Sequence, residues 1–445
     1  MRDLVRALKK EEEKLLHCVH CGFCLPACPT YVRLGDEADS PRGRLHFMRA
    51  VVEGRLDADS RAFAVHLDRC LGCRACESVC PSGVEYGHLL EGAREVVARA
   101  RGRGVLDRLI PGVMARPVLL SWAMALTRAF RATGFPEVAA RRLPGEGRLG
   151  QLRLGMGMVA ATRAPNLTGS TDLQERWGRA GGSQRDGDGE PGEESLGKGA
   201  STALLTGCVQ EGLLGRVNRA TARVLEANGF RLVSVEEQGC CGALHAHTGD
   251  GEGARDLARR NVRAFREAGV EVIAVNAAGC GAIMKEYPLL LAHDPEYRED
   301  ASRVGRRVKD IAELLGRPGL RQGAPLELRV TYDAPCHLLH AQGIRTEPLA
   351  LLDSIPGLEL LPLEKADECC GGAGIYGITH PELGGEIGED KVRAVLETGA
   401  QVVATGNPGC MMQIGAGLRM AGSNMEVMHP VELLDESYRR AGFYS

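Results

Sequence analysis

The chain has 445 residues and a formal charge of −3, so no global basic field points to nucleic acid or an acidic membrane. Aromatic residues make up only 4%, which argues against base-stacking platforms, while 44% hydrophobic residues suffice for several buried cores. No run of 18 or more apolar residues is present, so a transmembrane helix is not expected.

The opening stretch, MRDLVRALKKEEEK, is charged and lacks the apolar segment of a secretory signal, which gives a cytoplasmic expectation. Thiols stay reduced there, so the 16 cysteines read as metal ligands rather than as a disulfide framework.

The first elements are two four-cysteine runs. Cys18, Cys21, Cys24 and Cys28 precede Pro29, and Cys70, Cys73, Cys76 and Cys80 precede Pro81. This is the spacing of two-cluster bacterial ferredoxins, in which the fourth cysteine of each run ligates the other cluster. The expected sets are Cys18, Cys21, Cys24 and Cys80 for one [4Fe–4S] cluster, and Cys70, Cys73, Cys76 and Cys28 for the other. Zinc also binds CxxC pairs, but two complete runs with a trailing proline favour clusters. The 52-residue offset leaves room for a helical insert around Pro41 to Leu67, so residues 1–100 are expected to form a helical ferredoxin domain.

Residues 101–162 read as a helical connecting segment with scattered Arg and Pro. Within it Pro117 to Phe130 is an apolar helix too short to span a bilayer. It reads as core, as a partner-docking face near Leu119, Leu120 and Met124, or as a membrane-surface helix, with core or docking preferred. Residues 163–200 are rich in Gly, Ser, Asp and Glu and read as a flexible, protease-sensitive linker.

The remainder is an internal repeat. Cys208, Cys240, Cys241 and Cys280 recur as Cys336, Cys369, Cys370 and Cys410, at offsets of 128, 129, 129 and 130. Each copy, 201–320 and 321–445, reads as alternating strands and helices. Strands are expected at Thr202 to Thr206, Arg231 to Val235 and Glu271 to Val275, then near Leu328 to Tyr332, Leu358 to Leu361 and Gln401 to Thr405. Every cysteine then lies just past the carboxyl end of a strand, the ligand-binding edge of open parallel sheets. The fold class is thus multidomain α/β. The two repeated cysteine sets fit a redox cluster, zinc or plain buried thiols, with the cluster preferred because a ferredoxin half precedes them.

Several features are set aside. His17, His20, His245, His247, His337 and His340 lie near the cysteines and read as packed or solvated residues rather than ligands. Gly372 to Gly377 matches GxGxxG and Gly155 to Ala160 its Ala variant, but neither has the strand–turn–helix context of a dinucleotide site. No flavin or nicotinamide site is recognised.

The stretches CVHCGFCLPACPTY (18–31), DSPRGR (39–44), LDRCLGCRACESVCPSGV (67–84), GCVQ (207–210), GCCGALHAH (239–247), GCGAIMKEY (279–287) and CCGGAGIYGITHPEL (369–383) resemble the iron–sulfur subunits of glycolate oxidase. That family joins ferredoxin clusters to two cysteine-rich CCG modules, as do heterodisulfide reductase and the lactate-utilisation and glycerol-3-phosphate dehydrogenase subunits. Where the heterodisulfide reductase branch carries a fifth cysteine per module, this chain has Ile283 and Gln413, which speaks against its non-cubane cluster and disulfide chemistry.

The resemblance implies an electron-transfer subunit with no substrate site of its own and no catalytic residue. A flavoprotein partner would oxidise glycolate to glyoxylate, and electrons would pass onward, with a quinone and peripheral attachment to the inner face of the cell membrane as one route. The alternatives are a lactate or glycerol-3-phosphate dehydrogenase subunit, an enzyme using the CCG thiols directly, and a zinc-stabilised scaffold.

Overall fold

The computed structural model describes residues 5–145, 147–165 and 199–444. The expected linker therefore lies almost wholly outside the described residues.

Residues 5–101 are helical, with the longer helices at Pro41–Val52, Arg61–Asp68 and Tyr86–Arg101. Each has one apolar face, and these meet in a core that includes Leu8, Met48, Phe63, Leu89 and Leu90. Ser40 caps the first of these helices by accepting from the Gly43 amide at 3.0 Å, and Pro41 occupies its first turn. The cysteine runs border this core, which takes in Cys70 and Cys76 and has Cys18, Cys24 and Cys80 packed against it.

Four helices follow, at Val105–Met114, Pro117–Ala132, Phe135–Arg142 and Gly147–Ala161. The last crosses the helix Pro408–Met420 closely: a Cβ on Gly157 would lie 2.9 Å from the Ala416 Cβ. Gly157 thus serves a helix crossing, whereas a Cβ at Gly155 would meet nothing within 4 Å.

The repeat folds as two four-stranded parallel sheets of identical topology. The first contains β1 (Ser201–Leu204), β2 (Arg231–Val233), β3 (Val272–Val275) and β4 (Val308–Asp310), in the order β2-β1-β3-β4. The second contains β5 (Leu328–Tyr332), β6 (Leu358–Leu361), β7 (Val402–Ala404) and β8 (Glu426–Met428), in the order β6-β5-β7-β8. Three strands per copy were expected, and the structure adds β4 and β8. Both are three-residue edge strands too short and too polar to leave a periodic signal.

The two sheets share one interior, and the first sheet has a second of its own that includes Ala203, Phe265 and Ile273. Leu214, Val217 and Val224 from the helix Val209–Ala227 share a core with Leu433, Leu434 and Tyr438 from the helix Pro430–Arg440. Asn228 donates to the Tyr438 hydroxyl at 3.1 Å, and Arg223 pairs with Asp435.

Tyr438→Ala removes a fully buried ring from that common core and should cost about 3–5 kcal/mol. Calorimetry should show the unfolding of both modules shifted together; a shift confined to the second module would contradict a common core.

Candidate metal centres

Within the two N-terminal runs the chain coils by alternating into the left-handed region. His20 (φ 56°) and Gly22 (φ 90°) do so in the first, and Gly72 (φ 69°) and Arg74 (φ 65°) at the matching positions of the second. Non-glycine residues tolerate this conformation at a cost, and successive amides so turned face inward towards an anionic guest.

A pocket is lined by Cys18, Cys21, Cys24 and Cys80, together with Cys76. It opens towards solvent at Cys21. The other set is enclosed: Cys28, Cys70, Cys73 and Cys76 are all buried. Their thiols interact electrostatically with one another, so the structure brings Cys28 towards the second run and Cys80 towards the first.

Burial and the neighbouring sulfurs push Cys73 and Cys76 well above the ordinary thiol value. Burial acts the same way on Cys70, but the Arg44 and Arg94 guanidiniums, the Tyr86 hydroxyl (3.6 Å) and the Gly72 amide (3.4 Å) outweigh it and hold that thiol below its usual range. Arg44 is fully buried. Its guanidinium donates to the His66 carbonyl at 2.6 Å, to Thr30 Oγ1 at 3.1 Å and to Asp39 at 3.3 Å, and it approaches the Cys28 sulfur at 3.9 Å. The DSPRGR stretch thus owes its place beside the cysteines to Asp39 and Arg44.

In the repeated modules each cysteine follows the carboxyl end of a strand by four to nine residues. Cys241 and Cys280 sulfurs lie 3.1 Å apart, and Cys370 and Cys410 sulfurs 3.3 Å apart. Cys208 adjoins Cys240 in the first module, and Cys336 adjoins Cys369 in the second. Gly242 (φ 90°) and Gly371 (φ 78°) follow the paired cysteines; a Cβ at Gly371 would lie 2.5 Å from the Gly384 carbonyl oxygen, so glycine is required there.

Behind the paired cysteines the copies differ. In the first, Asn261 accepts from the Gly239 amide (2.9 Å) and donates to the Cys240 carbonyl (3.0 Å) and to the Tyr287 hydroxyl (3.0 Å), which in turn donates to the Cys241 carbonyl (2.9 Å). In the second, 130 positions later, stands Lys391. Its ammonium donates to the Lys365 and Ala366 carbonyls and pairs at 3.0 Å with Asp333, which is buried as Lys391 is. Sequence reading missed all four residues, although the repeat register aligns Asn261 with Lys391.

The electrostatics follow. In the first module the Cys208, Cys240 and Cys241 thiols all stand above their ordinary value, Cys240 at about 12, where the bond with Cys208 acts downward and Cys241 and burial act upward. In the second, bonds from Cys369 and Cys410 and the charge of Lys391 hold Cys370 well below the usual range against burial. Cys336 is lowered likewise, first by its bond with Cys369 and then by His337, whose Nδ1 lies 3.4 Å from its sulfur. Sets of four converging sulfurs, several of them thiols that burial keeps from ionising, fit a thiophilic metal or cluster whose positive charge would offset their repulsion.

Of the six histidines set aside, His337 touches a candidate ligand. His247 pairs with Glu91 at 3.3 Å and lies 5.6 Å from the His337 ring, and His340 Nδ1 lies 2.7 Å from the Ser78 hydroxyl. Ile283 packs in the first module's core, and Gln413 is buried against Gly372 and Gly377, so both fifth-cysteine positions are filled by packing residues.

Residues 14–84 match the model of the 4Fe-4S dicluster domain, and residues 202–285 and 330–415 each match that of the cysteine-rich domain called CCG. A probable glycolate oxidase iron–sulfur subunit of Bacillus subtilis (strain 168) is 35% identical, over 96% of this chain and 95% of that relative. The chain belongs to the glycolate oxidase iron–sulfur subunit family. A second member, the glycolate oxidase iron–sulfur subunit of Escherichia coli (strain K12), is 32% identical over 99% of this chain and 98% of its own length. Lactate utilization protein A of Exiguobacterium sp. (strain ATCC BAA-1283 / AT1b) is 29% identical over 54% of this chain.

Arg44→Leu removes the buried cation that faces Cys28, Cys70 and Asp39 and should destabilise the N-terminal domain by about 3–5 kcal/mol. Denaturant unfolding should show the loss, and iron analysis should show less bound metal.

Proposed function

We propose that this chain is the electron-transfer subunit of a flavin-dependent glycolate oxidase, receiving electrons from a flavoprotein partner that oxidises glycolate to glyoxylate and handing them to a separate acceptor. Two [4Fe–4S] clusters at the N-terminal cysteines, in the crossed arrangement, would supply one-electron carriers, and a further cluster or zinc would fill each CCG set. Oxidation of the hydroxy acid releases two electrons and two protons, which suits a flavin, and no flavin site is recognised in this sequence.

The observation that carries the reading is how the two halves meet. Leu71 and Cys73 share an apolar cluster with Cys369, Tyr376 and Ile387, and Cys336 packs against it. Cys73 and Cys336 are close enough for the charge of one to raise the other's pKa. The Tyr376 hydroxyl donates to the Arg69 carbonyl at 2.7 Å, and His380 pairs with Asp68 at 3.1 Å. A buried ferredoxin set thus abuts the second module's set, the arrangement a short electron path needs. The exposed first set, open at Cys21, is the natural point of entry.

Cys28→Ser should damage the centre of Cys70, Cys73 and Cys76 more than that of its own run, as read by electron paramagnetic resonance of the reduced protein. Wild-type protein should be bleached by glycolate only when a flavoprotein subunit is added. Bleaching by glycolate without flavoprotein would sink the proposal, and loss of the Cys18–Cys24 signal in Cys28→Ser would reverse the assignment.

A further inference from the structure

The helical middle has two faces. Leu120 and Met124 turn inward: Leu120 packs with Met114 and Ala115 against Cys208 and Cys240, and Met124 is buried against Gly212. They form core rather than a docking surface. One stripe round the same helix, Val118, Trp122 and Leu126 are exposed at four-residue spacing, the last two by 67% and 68%. Phe130 continues the stripe, and its ring lies 5.9 Å from that of Phe135 on the next helix. Among the described residues, 12 of the 22 exposed large apolar side chains fall between 105 and 152. A concentration of that kind marks a binding surface rather than chance exposure.

Charge identifies the partner. Residues 101–163 hold eleven Arg, no Lys and three carboxylates, a net +8 in a chain whose total is −3. Arg108, Arg116 and Arg142 are exposed, and none pairs with a carboxylate among the described residues. An exposed apolar stripe carrying Trp and rimmed by Arg matches the acyl–headgroup boundary of an anionic bilayer. A protein partner would bring hydrophobic surface but no requirement for so large an excess of cations. No single described helix is long and apolar enough to cross a membrane, and Val105–Met114 and Pro117–Ala132 are bent by 102° at the break between them.

We propose that residues 105–152 form an interfacial docking element that seats this chain on an anionic lipid bilayer. Because the inward face of the element covers Cys208 and Cys240, docking places the first CCG set at the membrane side of the molecule. The docking stands on surface chemistry alone; only its use for delivering electrons to a lipid-dissolved acceptor rests on the proposed function.

Full-length metal-loaded protein is floated with vesicles of phosphatidylcholine alone or with about one-third phosphatidylglycerol. Wild-type protein should float with the anionic vesicles, less so at high salt. Trp122→Glu combined with Leu126→Glu should cut that partition ~10-fold or more, with thermal unfolding and visible absorbance unchanged. Arg108→Ser with Arg142→Ser should abolish the preference for anionic lipid. Failure of wild-type protein to float, or undiminished flotation of the Trp122 and Leu126 variant, would overturn the proposal. So would a variant that instead loses a protein partner or self-association while wild-type protein ignores vesicles. Because flotation needs neither glycolate nor flavoprotein, its failure leaves the electron-transfer reading intact, and failure of glycolate-dependent bleaching leaves docking intact.

Discussion

Crowding thiols in a dry interior is the constraint on which the rest of the structure depends. A thiolate removed from water loses its hydration, and a second beside it adds repulsion, so an isolated buried set stays protonated. The chain answers this with fixed positive charge in two places. Arg44, fully buried, is held by Asp39 and by the His66 carbonyl and faces Cys28 and Cys70. Lys391, paired with Asp333, faces Cys369 and Cys370. These cations sit on neighbouring sets, the second ferredoxin run and the second module, which meet at the Cys73–Cys369 contact. The junction therefore carries a buried ion pair on each side, Arg44–Asp39 and Lys391–Asp333.

The second of these pairs breaks the symmetry of a duplication. The modules share topology, glycine turns and cysteine positions, yet one braces its cysteine pair with neutral Asn261 and Tyr287 and the other with an ion pair. An adjacent cation stabilises the more reduced state of any metal–thiolate centre, because each added electron increases negative charge. A metal centre at the second module would thus sit beside a buried ion pair, and one at the first beside neutral groups.

Much of this was legible in the sequence because cysteine spacing survives independently of packing. The 128–130 offsets revealed the duplication, and CxxCxxCxxxCP revealed the ferredoxin runs. The central strands were legible through their apolar runs, whereas β4 and β8 were not, since three-residue edge strands take their conformation from pairing with a neighbour. The supporting charges were hidden for another reason. Lys391 and Arg44 resemble surface residues in sequence, and only the fold makes them interior. The apolar helix at 117–132 was recognised, but which of its faces turns inward depends on Gly212, a residue far away in sequence that leaves room for Met124.

The crossing of Gly157 over Ala416 has a mechanical consequence. The helix that carries Gly157 is pinned further by Arg153, which donates to the Met420 carbonyl at 2.8 Å, and a Cβ on Gly415 would lie 2.6 Å from the Ala161 Cβ. The helix it rests on, Pro408–Met420, carries Cys410 in its first turn. A load applied to the segment before residue 162 therefore does not stop at the first module beside it; it acts as a lever whose short arm ends at a sulfur of the second.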